Sequence, residues 1–378
     1  MIKKYVKNNG TKAWMFNEYI GTDPATGKKK IVTKRGFKSE KEAKTTLNRM
    51  KVDFERGELQ TLSRIKFSDI YDLWIEEHRR MVKSGTVVTT QRYARLHLLP
   101  VFGNKFIQNV DVLFCQKAVN SWDAHFASAK YPKGIAQQVF DYALTMGYIK
   151  DNPMRKIRLP KRTDDLVKID NYYSLEELKH FFECVEDYGN PKMYIFFRFL
   201  AFTGARKSEI LALNWSDIDF NGKTLDISKT VSLDEAENPK ITTPKTKKSI
   251  RKISIDDKTL ADLKQWRKQQ SKHYLMKGIN TFGSSQHIIT TKENNIYRPT
   301  LVNEWMYYLE NKYPLKHITL HGFRHTHCSL LFEMGTPLEE VQDRLGHTDI
   351  KTTMNIYTYV TEKRKEITAE RFAKFVNF

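Results

Sequence analysis

The stretch "YIFFRFLAFTG", Tyr194 to Gly204, is apolar almost all the way round when wound as a helix. Such a helix has no face to give to water and must be wrapped by other elements. It is also well short of the roughly 20 residues that a membrane span needs. The chain therefore has to build a packed core around it, with Gly204 as the stop. Just upstream, Ser174 and Glu177 stand three apart as a reciprocal cap, and Leu175, Leu178, Phe181, Phe182 and Val185 form the apolar stripe of a preceding helix. Beyond Gly204, "TLDISKTVS" and "SIRKISI" read as a strand pair separated by a Lys-rich connection, and helices return from Leu301. Thr336-Pro337-Leu338-Glu339 reads as a capped helix start, and Gly346 as that helix's end, leaving His347 just past it.

The N-terminal part has a different rhythm. "AWMFNEYIG" alternates as a half-buried strand does, "TDPATGKKK" supplies turn residues, and "KIVTKRGF" reads as a second strand. Ser39 with Glu42 then caps a helix running to about Glu55, with Ala43, Leu47 and Met50 on one face. "RGELQTLSRIK" reads as a linker. From Phe67 to about Asn152 the pattern is helical: Phe67, Ile70, Tyr71 and Trp74 recur at helical spacing. "VVTTQRYARLHLLPVFG" is expected to be a helix halted by Pro100 and Gly103, and "IAQQVFDYALTMGYIKDNP" another, ended by Gly147. Basic "MRKIRLPKR" is the expected interdomain linker.

Charge narrows the class of partner. The 378 residues carry a formal net charge of +20 and a pI near 9.6, which points to a polyanion, most often nucleic acid. Met1 to Lys66 holds 17 Lys and Arg against 7 Asp and Glu, so half of the excess sits in that short segment. No basic amphipathic helix with a bulky apolar face favours a membrane surface. Cys115, Cys184 and Cys328 are widely spaced and read as reduced thiols of a cytosolic protein. No secretory leader or membrane span is expected.

The chemistry gathers in four places. In "HGFRHTHCSLLFEMG", His321 and His325 are four apart and would suit two zinc ligands, but the zinc-protease pattern needs Glu where Gly322 stands. His321 and Arg324 are three apart and point the same way near a helix start, which fits a phosphate better than a zinc ion. Simple backbone contacts or capping remain open for these residues. In "TGARKSEILALNWSDI", Arg206 follows the Gly204 stop with Glu209 one turn on, as an orienting partner or as an ordinary surface pair worth a few tenths of a kcal/mol. Lys245 lies in the Lys-rich connection "TTPKTKKSIRKISI", where lysines are usually just solvated. "LGHTDIKTTMNIYTYV" places His347 after a helix stop and Tyr357 ten residues on. Tyrosine, with a free pKa near 10, needs neighbouring cations or a base to become a nucleophile.

Taken in order, Arg206, Lys245, His321 with Arg324, Leu345-Gly346-His347 and Tyr357 resemble the tyrosine recombinase family, the integrases of phages and conjugative elements. The likeness runs from about Ser174 to Phe378. "KFSDIYDLWIEEH" through "GYIKDNP" resembles the family's helical core-binding domain, and the basic N-terminus its arm-type DNA-binding domain. The resemblance implies a multidomain, mainly α protein with small β-sheets: an N-terminal α/β arm-binding domain over 1–62, a helical SAM-like core-binding domain over 66–158, and a mixed α+β catalytic domain over 170–378. It implies cutting and rejoining of DNA with no metal and no cofactor. Tyr357 would form a 3′-phosphotyrosyl bond, Arg206 and Arg324 would hold the non-bridging oxygens, and Lys245 would protonate the leaving oxygen. His321 would be base or proton relay, His347 a donor to the phosphate, and Glu209 a support. The implied partners are double-stranded attachment sites, three further copies in a homotetramer on DNA, and excisionase and DNA-bending accessory proteins, in the nucleoid of a bacterial cytoplasm. Lys247 and Lys248 crowd Lys245, whose role follows from the family's Lys-Thr pair, and Tyr359 is the neighbour most easily mistaken for the nucleophile.

Two rival readings share some of these features. A type IB topoisomerase would use the same chemistry on one duplex. A non-catalytic regulator would use "PLEEVQDRLGHTDIKTTMNIY" as a helix-turn-helix, with no need for Arg206, Lys245 and Tyr357.

Overall fold

The computed structural model describes residues 2–7, 10–22, 27, 29–55, 64–125, 129–159, 171–244, 246–346 and 354. The chain divides into two compact units, Met1–Trp74 with Ala94–Leu159, and Ile75–Tyr93 with Pro160–Phe378.

At the N-terminus, strands β1 (Ile2–Val6), β2 (Lys12–Thr22) and β3 (Lys29–Phe37) form an antiparallel sheet in that order, followed by helix α1 (Glu40–Glu55). Alternation along β2 turns Phe16 and Ile20 onto Ala43 and Leu47 of α1. The sequence reading lacks β1, whose five residues alternate too weakly to stand out. Ser39 Oγ accepts from Glu42 N (3.1 Å) as expected, whereas the Glu42 carboxylate accepts from Lys38 N (2.8 Å), one residue before the expected partner.

The helical part holds α2 (Phe67–Met81), α3 (Ser84–Tyr93), α4 (Leu99–Phe102), α5 (Val112–His125) and α6 (Lys130–Thr145). Phe67, Phe102 and Phe140 are fully buried, with ring centroids 5.3 to 6.0 Å apart; each such ring contributes roughly 1.5–3 kcal/mol of burial. Pro100 does not halt its helix. A wide π turn, Ala94–Leu98, precedes it and α4 continues through it. The wider turn relieves the clash a proline ring makes with the carbonyl four residues back, and the missing N–H is absorbed there. Gly147 does end α6, at φ +75°. The expected linker is in part packed structure: Met154 is fully buried, and Asn152 donates to Gln137 O and Asp141 Oδ1 while accepting from Met154 N.

The second unit is built around α7 (Leu175–Tyr188) and α8 (Pro191–Thr203), followed by the short α9 (Lys207–Ile210). The Ser174–Glu177 cap is present in both directions. Phe196, Phe197, Phe199 and Leu200 of α8 are all fully buried, as an all-apolar helix requires. Next come β4 (Ile218–Asp219), β5 (Thr224–Ile227), β6 (Thr230–Leu233), β7 (Pro239–Thr242) and β8 (Arg251–Ser254). The expected single strand pair is thus two separate pairings: β5 pairs with β4 and β8, and β6 makes its own hairpin with β7. "TLDISKTVS" breaks at Ser228 and Lys229, so its two halves join different sheets. Within this same unit, Lys83 Nζ donates to the carbonyls of Thr243 (3.1 Å) and Pro244 (3.0 Å), at the end of that hairpin.

Helices α10 (Asp257–Leu275), α11 (Asn303–Lys312), α12 (Gly322–Glu333) and α13 (Leu338–Leu345) complete the described unit. Thr336 is not the cap of α13. Pro337 holds that position with no side-chain cap bond, its ring fixing the entry angle in place of a hydroxyl. Gly346 ends α13 in the left-handed region, as read. Among the described residues no helix is long and apolar enough to cross a membrane.

Candidate functional site

Helix α12 is anchored by Phe323, fully buried against Phe181 (4.9 Å) and Phe197 (5.4 Å). Seating that ring drags the next side chain inward, and Arg324 is only 2 % exposed. Its guanidinium donates to Gly204 O (2.8 Å) and Leu345 O (2.6 Å). Both carbonyls belong to helix C-termini, which lack intrahelical partners and carry the negative end of the helix dipole. Gly204 itself is left-handed, and a Cβ there would sit 2.5 Å from Leu345 and 2.8 Å from His327. The glycine stop lets α8 end close enough for its carbonyl to receive Arg324. His321 and Arg324 therefore do not project side by side as their spacing suggests: His321 is exposed at the start of α12 and Arg324 lies beneath the surface.

Arg206 stands at the start of α9. Its N–H donates to Glu209 Oε2 (2.9 Å) and its guanidinium to Glu209 Oε1 (2.7 Å). The pair is not a solvated surface bridge, since the Glu209 side chain is 3 % exposed while that of Arg206 is 39 % exposed. Glu209 Oε2 also accepts from Arg251 at 3.1 Å. Burial alone would raise the Glu209 pKa, but Arg251, Arg206 and the backbone bond together hold it below the ordinary carboxylate value. Arg324 lies in the field of Arg206 and Arg251; burial and those two cations push its pKa down to about 9, still charged at neutral pH. Arg206 and Arg251 thus bond the one carboxylate, and Arg324 lies within its field. The like charges of the three guanidiniums repel one another. An anion placed here relieves that repulsion.

The three histidines of α12 and its cap separate by role. His321 borders a shallow cavity with Arg206, Lys207 and Asn303. Desolvation, His325 and the cations Arg324, Arg206 and Lys207 push its pKa down to about 4, so the ring is neutral and able to accept a proton. The His321 and His325 rings meet edge to face at 4.9 Å, and no group of three His, Cys, Asp or Glu suited to a metal occurs among the described residues. His327 is a strut: Nδ1 donates to Ala201 O (2.8 Å) and Nε2 accepts from Arg344 Nε (3.1 Å). Burial and Arg344 lower its pKa to about 3.

Of the residues singled out in the sequence, Arg206, Glu209, Arg324 and His321 share one region of the second unit. Lys245, His347 and Tyr357, with Tyr359, lie outside the described residues. Sequence reasoning missed Arg251 and Arg344. Arg251 had a legible signal: it sits two residues before Ile253 in β8, on the same inward face. Arg344 had none, because its partners Phe202, Ser254 and His327 are distant in sequence.

Comparison with known proteins covers most of the chain. Residues 1–54 match an arm DNA-binding domain, 66–122 a phage integrase N-terminal SAM-like domain, and 174–364 the phage integrase family. A tyrosine recombinase XerC-like protein of Caldanaerobacter subterraneus subsp. tengcongensis is 30 % identical over 389 residues, spanning 97 % of each chain. The ICEBs1 integrase of Bacillus subtilis is 26 % identical, spanning 92 % of this chain and 94 % of its own. Among solved structures, the Tn1549 transposon integrase in complex with a circular intermediate DNA aligns with a TM-score of 0.66 at 22 % identity, over 82 % of this chain and all of that one. A lambda integrase dimer bound to a COC′ core site gives 0.58 at 16 % identity, over 94 % of each. The two structures show a shared fold.

Proposed function

Since the chain belongs to the phage integrase family of tyrosine recombinases, we propose that it is a site-specific DNA recombinase that seats the scissile phosphate on Arg206 and Arg324. The observation that carries this reading is an excess of fixed positive charge: buried Arg251 and Arg324 and the partly exposed Arg206 near the single carboxylate of Glu209. Charge of that sign, fixed in place before substrate arrives, stabilises an anion that grows during the reaction. One such donor is typically worth about 3–4 kcal/mol of barrier.

The chemistry follows from the residues. The Tyr357 hydroxyl attacks phosphorus, the P–O5′ bond breaks, and a 3′-phosphotyrosyl bond replaces it. His321, neutral in this electrostatic setting, accepts the tyrosine proton directly or through water. Lys245 gives a proton to the departing 5′-oxygen, and His347 donates to a non-bridging oxygen. A 5′-hydroxyl from a second duplex then reverses the step. The covalent bond retains the energy of the one broken, so no nucleotide is consumed.

Integration and excision of a mobile element require two cuts on each of two duplexes, which supports a homotetramer on paired attachment sites. Excisionase and DNA-bending proteins belong to the same reading. The three matched regions support separate arm-binding, core-binding and catalytic domains near 1–62, 66–158 and 170–378.

The test is a nicked core-site duplex from which the short 5′ fragment diffuses away after cleavage. The recombinase reading expects a covalent protein–DNA adduct, and recombinant products when two intact sites are supplied. Relaxation of one plasmid with no recombinants would indicate a topoisomerase; binding with no adduct would indicate a regulator.

A further inference from the structure

Arg251 bonds three separate elements. Its Nε donates to Arg344 O (2.8 Å) in the last turn of α13, one terminal nitrogen to Ser249 O (3.0 Å), and the other to Glu209 Oε2 (3.1 Å). Its side chain is 6 % exposed. We propose that Arg251 is a positioning residue for strand cleavage: it takes one oxygen of Glu209 and so keeps Arg206 turned towards substrate. The inference rests on the reading of Arg206 as a phosphate-binding group.

The argument is one of competition. A carboxylate and a guanidinium left to themselves pair face to face through two parallel bonds. Arg206 closed on both oxygens of Glu209 would be neutralised and drawn inward. Instead Oε2 is shared by Arg251 and the Arg206 backbone N–H, so the Arg206 guanidinium meets Oε1 alone and stays 39 % exposed. The same residue seats the chain leaving α13. A Cβ on Gly346 would lie 3.1 Å from Arg251 Cδ and 2.7 Å from Lys248 O, so that turn rests on the Arg251 stem.

The test uses the full chain and three readouts: thermal stability, core-site binding by gel shift, and single-turnover cleavage of a nicked core site at saturating protein. Arg251→Met is expected to bind within about twofold of the parent and to cleave about 10- to 100-fold more slowly, as loss of an orienting partner commonly does. The discriminating variant is Glu209→Gln in both backgrounds. In the parent it slows cleavage. In Arg251→Met it restores part of the rate, because an amide cannot neutralise Arg206; a merely structural role gives additive losses instead. Arg251→Lys keeps the charge but reaches fewer partners, and its rate falls between the other two. If Arg251→Met does not fold, Arg251→Lys carries the test. Cleavage at the parent rate by whichever of these folds, slowing only in step with lost binding, or additive losses would each overturn the proposal. Arg206→Ala is the control: if it cleaves normally, the reading of the phosphate site falls, which is a different failure.

Discussion

Arg324 donates to the carbonyl of Leu345 at 2.6 Å, and Leu345 is the last residue of α13. The arginine assigned to the phosphate is thus also a bolt between α12 and the element that leads to His347 and Tyr357. Stability and catalysis are entangled at this residue. Arg324→Ala strands two buried carbonyls and leaves a void, and should lower unfolding free energy by about 2–5 kcal/mol. Its urea midpoint should fall well below that of the parent. An unchanged midpoint would mean that the two carbonyl bonds add little. A cleavage defect in this variant is therefore interpretable only beside its unfolding curve.

Arg206 gives the cleaner substitution, because its side chain is partly exposed and bonds only Glu209 among the described residues. Arg206→Ala should keep its fold and core-site affinity while slowing cleavage about 10²- to 10³-fold, since a donor to developing charge matters most in the transition state. Binding and cleavage assays on one preparation decide this. Equal losses in both would reduce Arg206 to an ordinary backbone contact.

The difference between these two arginines marks where the sequence stopped being legible. Local chemistry was readable: the Ser174–Glu177 cap, the all-apolar α8, and the glycine stops at 204 and 346 follow from spacing within a few residues. Burial of Arg324 was not readable, because it depends on Phe323 being pulled into a core made by α7 and α8. Arg251 carried a signal, its alternation with Ile253, that its lysine neighbours masked. In a Lys-rich stretch it looks like one more solvated cation until β8 pairs with β5 and turns it inward. The hairpin of β6 and β7 was missed because its strands are only four residues each, too short for their alternation to stand out in the sequence.

Acid should destabilise the protein through its histidines before its carboxylates. The His327 pKa is lowered to about 3 in the folded state, against about 6.5 unfolded. The unfolded chain therefore binds the extra proton as pH falls below 6.5. The stabilisation is complete above 6.5 and is lost progressively down to about 3, with a slope of roughly 1.4 kcal/mol per pH unit for that one group. Urea unfolding between pH 7 and 4.5 should show at least this slope, and His327→Gln should reduce it. A parent curve level over that range would contradict the buried, neutral assignment.

The N-terminal segment should bind DNA by itself. Lys3, Lys4, Lys34 and Arg35 are all exposed on its sheet. A fragment ending near Arg64 should bind duplex DNA at low salt. Its affinity should fall with salt on a log–log slope of about −0.9 per phosphate contacted. A chain starting near Ser63 should still cleave core sites yet integrate poorly on full attachment sites. A fragment without affinity at low salt would remove the arm assignment.

The nucleophile is the assignment with most at stake. Gly346 ends α13 in a left-handed turn next to Arg324's anchor on Leu345, so the chain leaving α13 starts from beside the two arginines. Tyr357 lies ten residues past His347, enough chain to bring a hydroxyl back to them. Phe at 357 keeps the ring and removes only the oxygen. Tyr357→Phe should fold, bind its site and form no adduct with the nicked substrate. Tyr359→Phe should still form it, because on the proposed reading Tyr357 alone supplies the attacking hydroxyl. A denaturing gel of trapped complexes, followed by mapping of the DNA-linked peptide, decides between them. An adduct from Tyr357→Phe, or a linked peptide modified at Tyr359, would move the nucleophile.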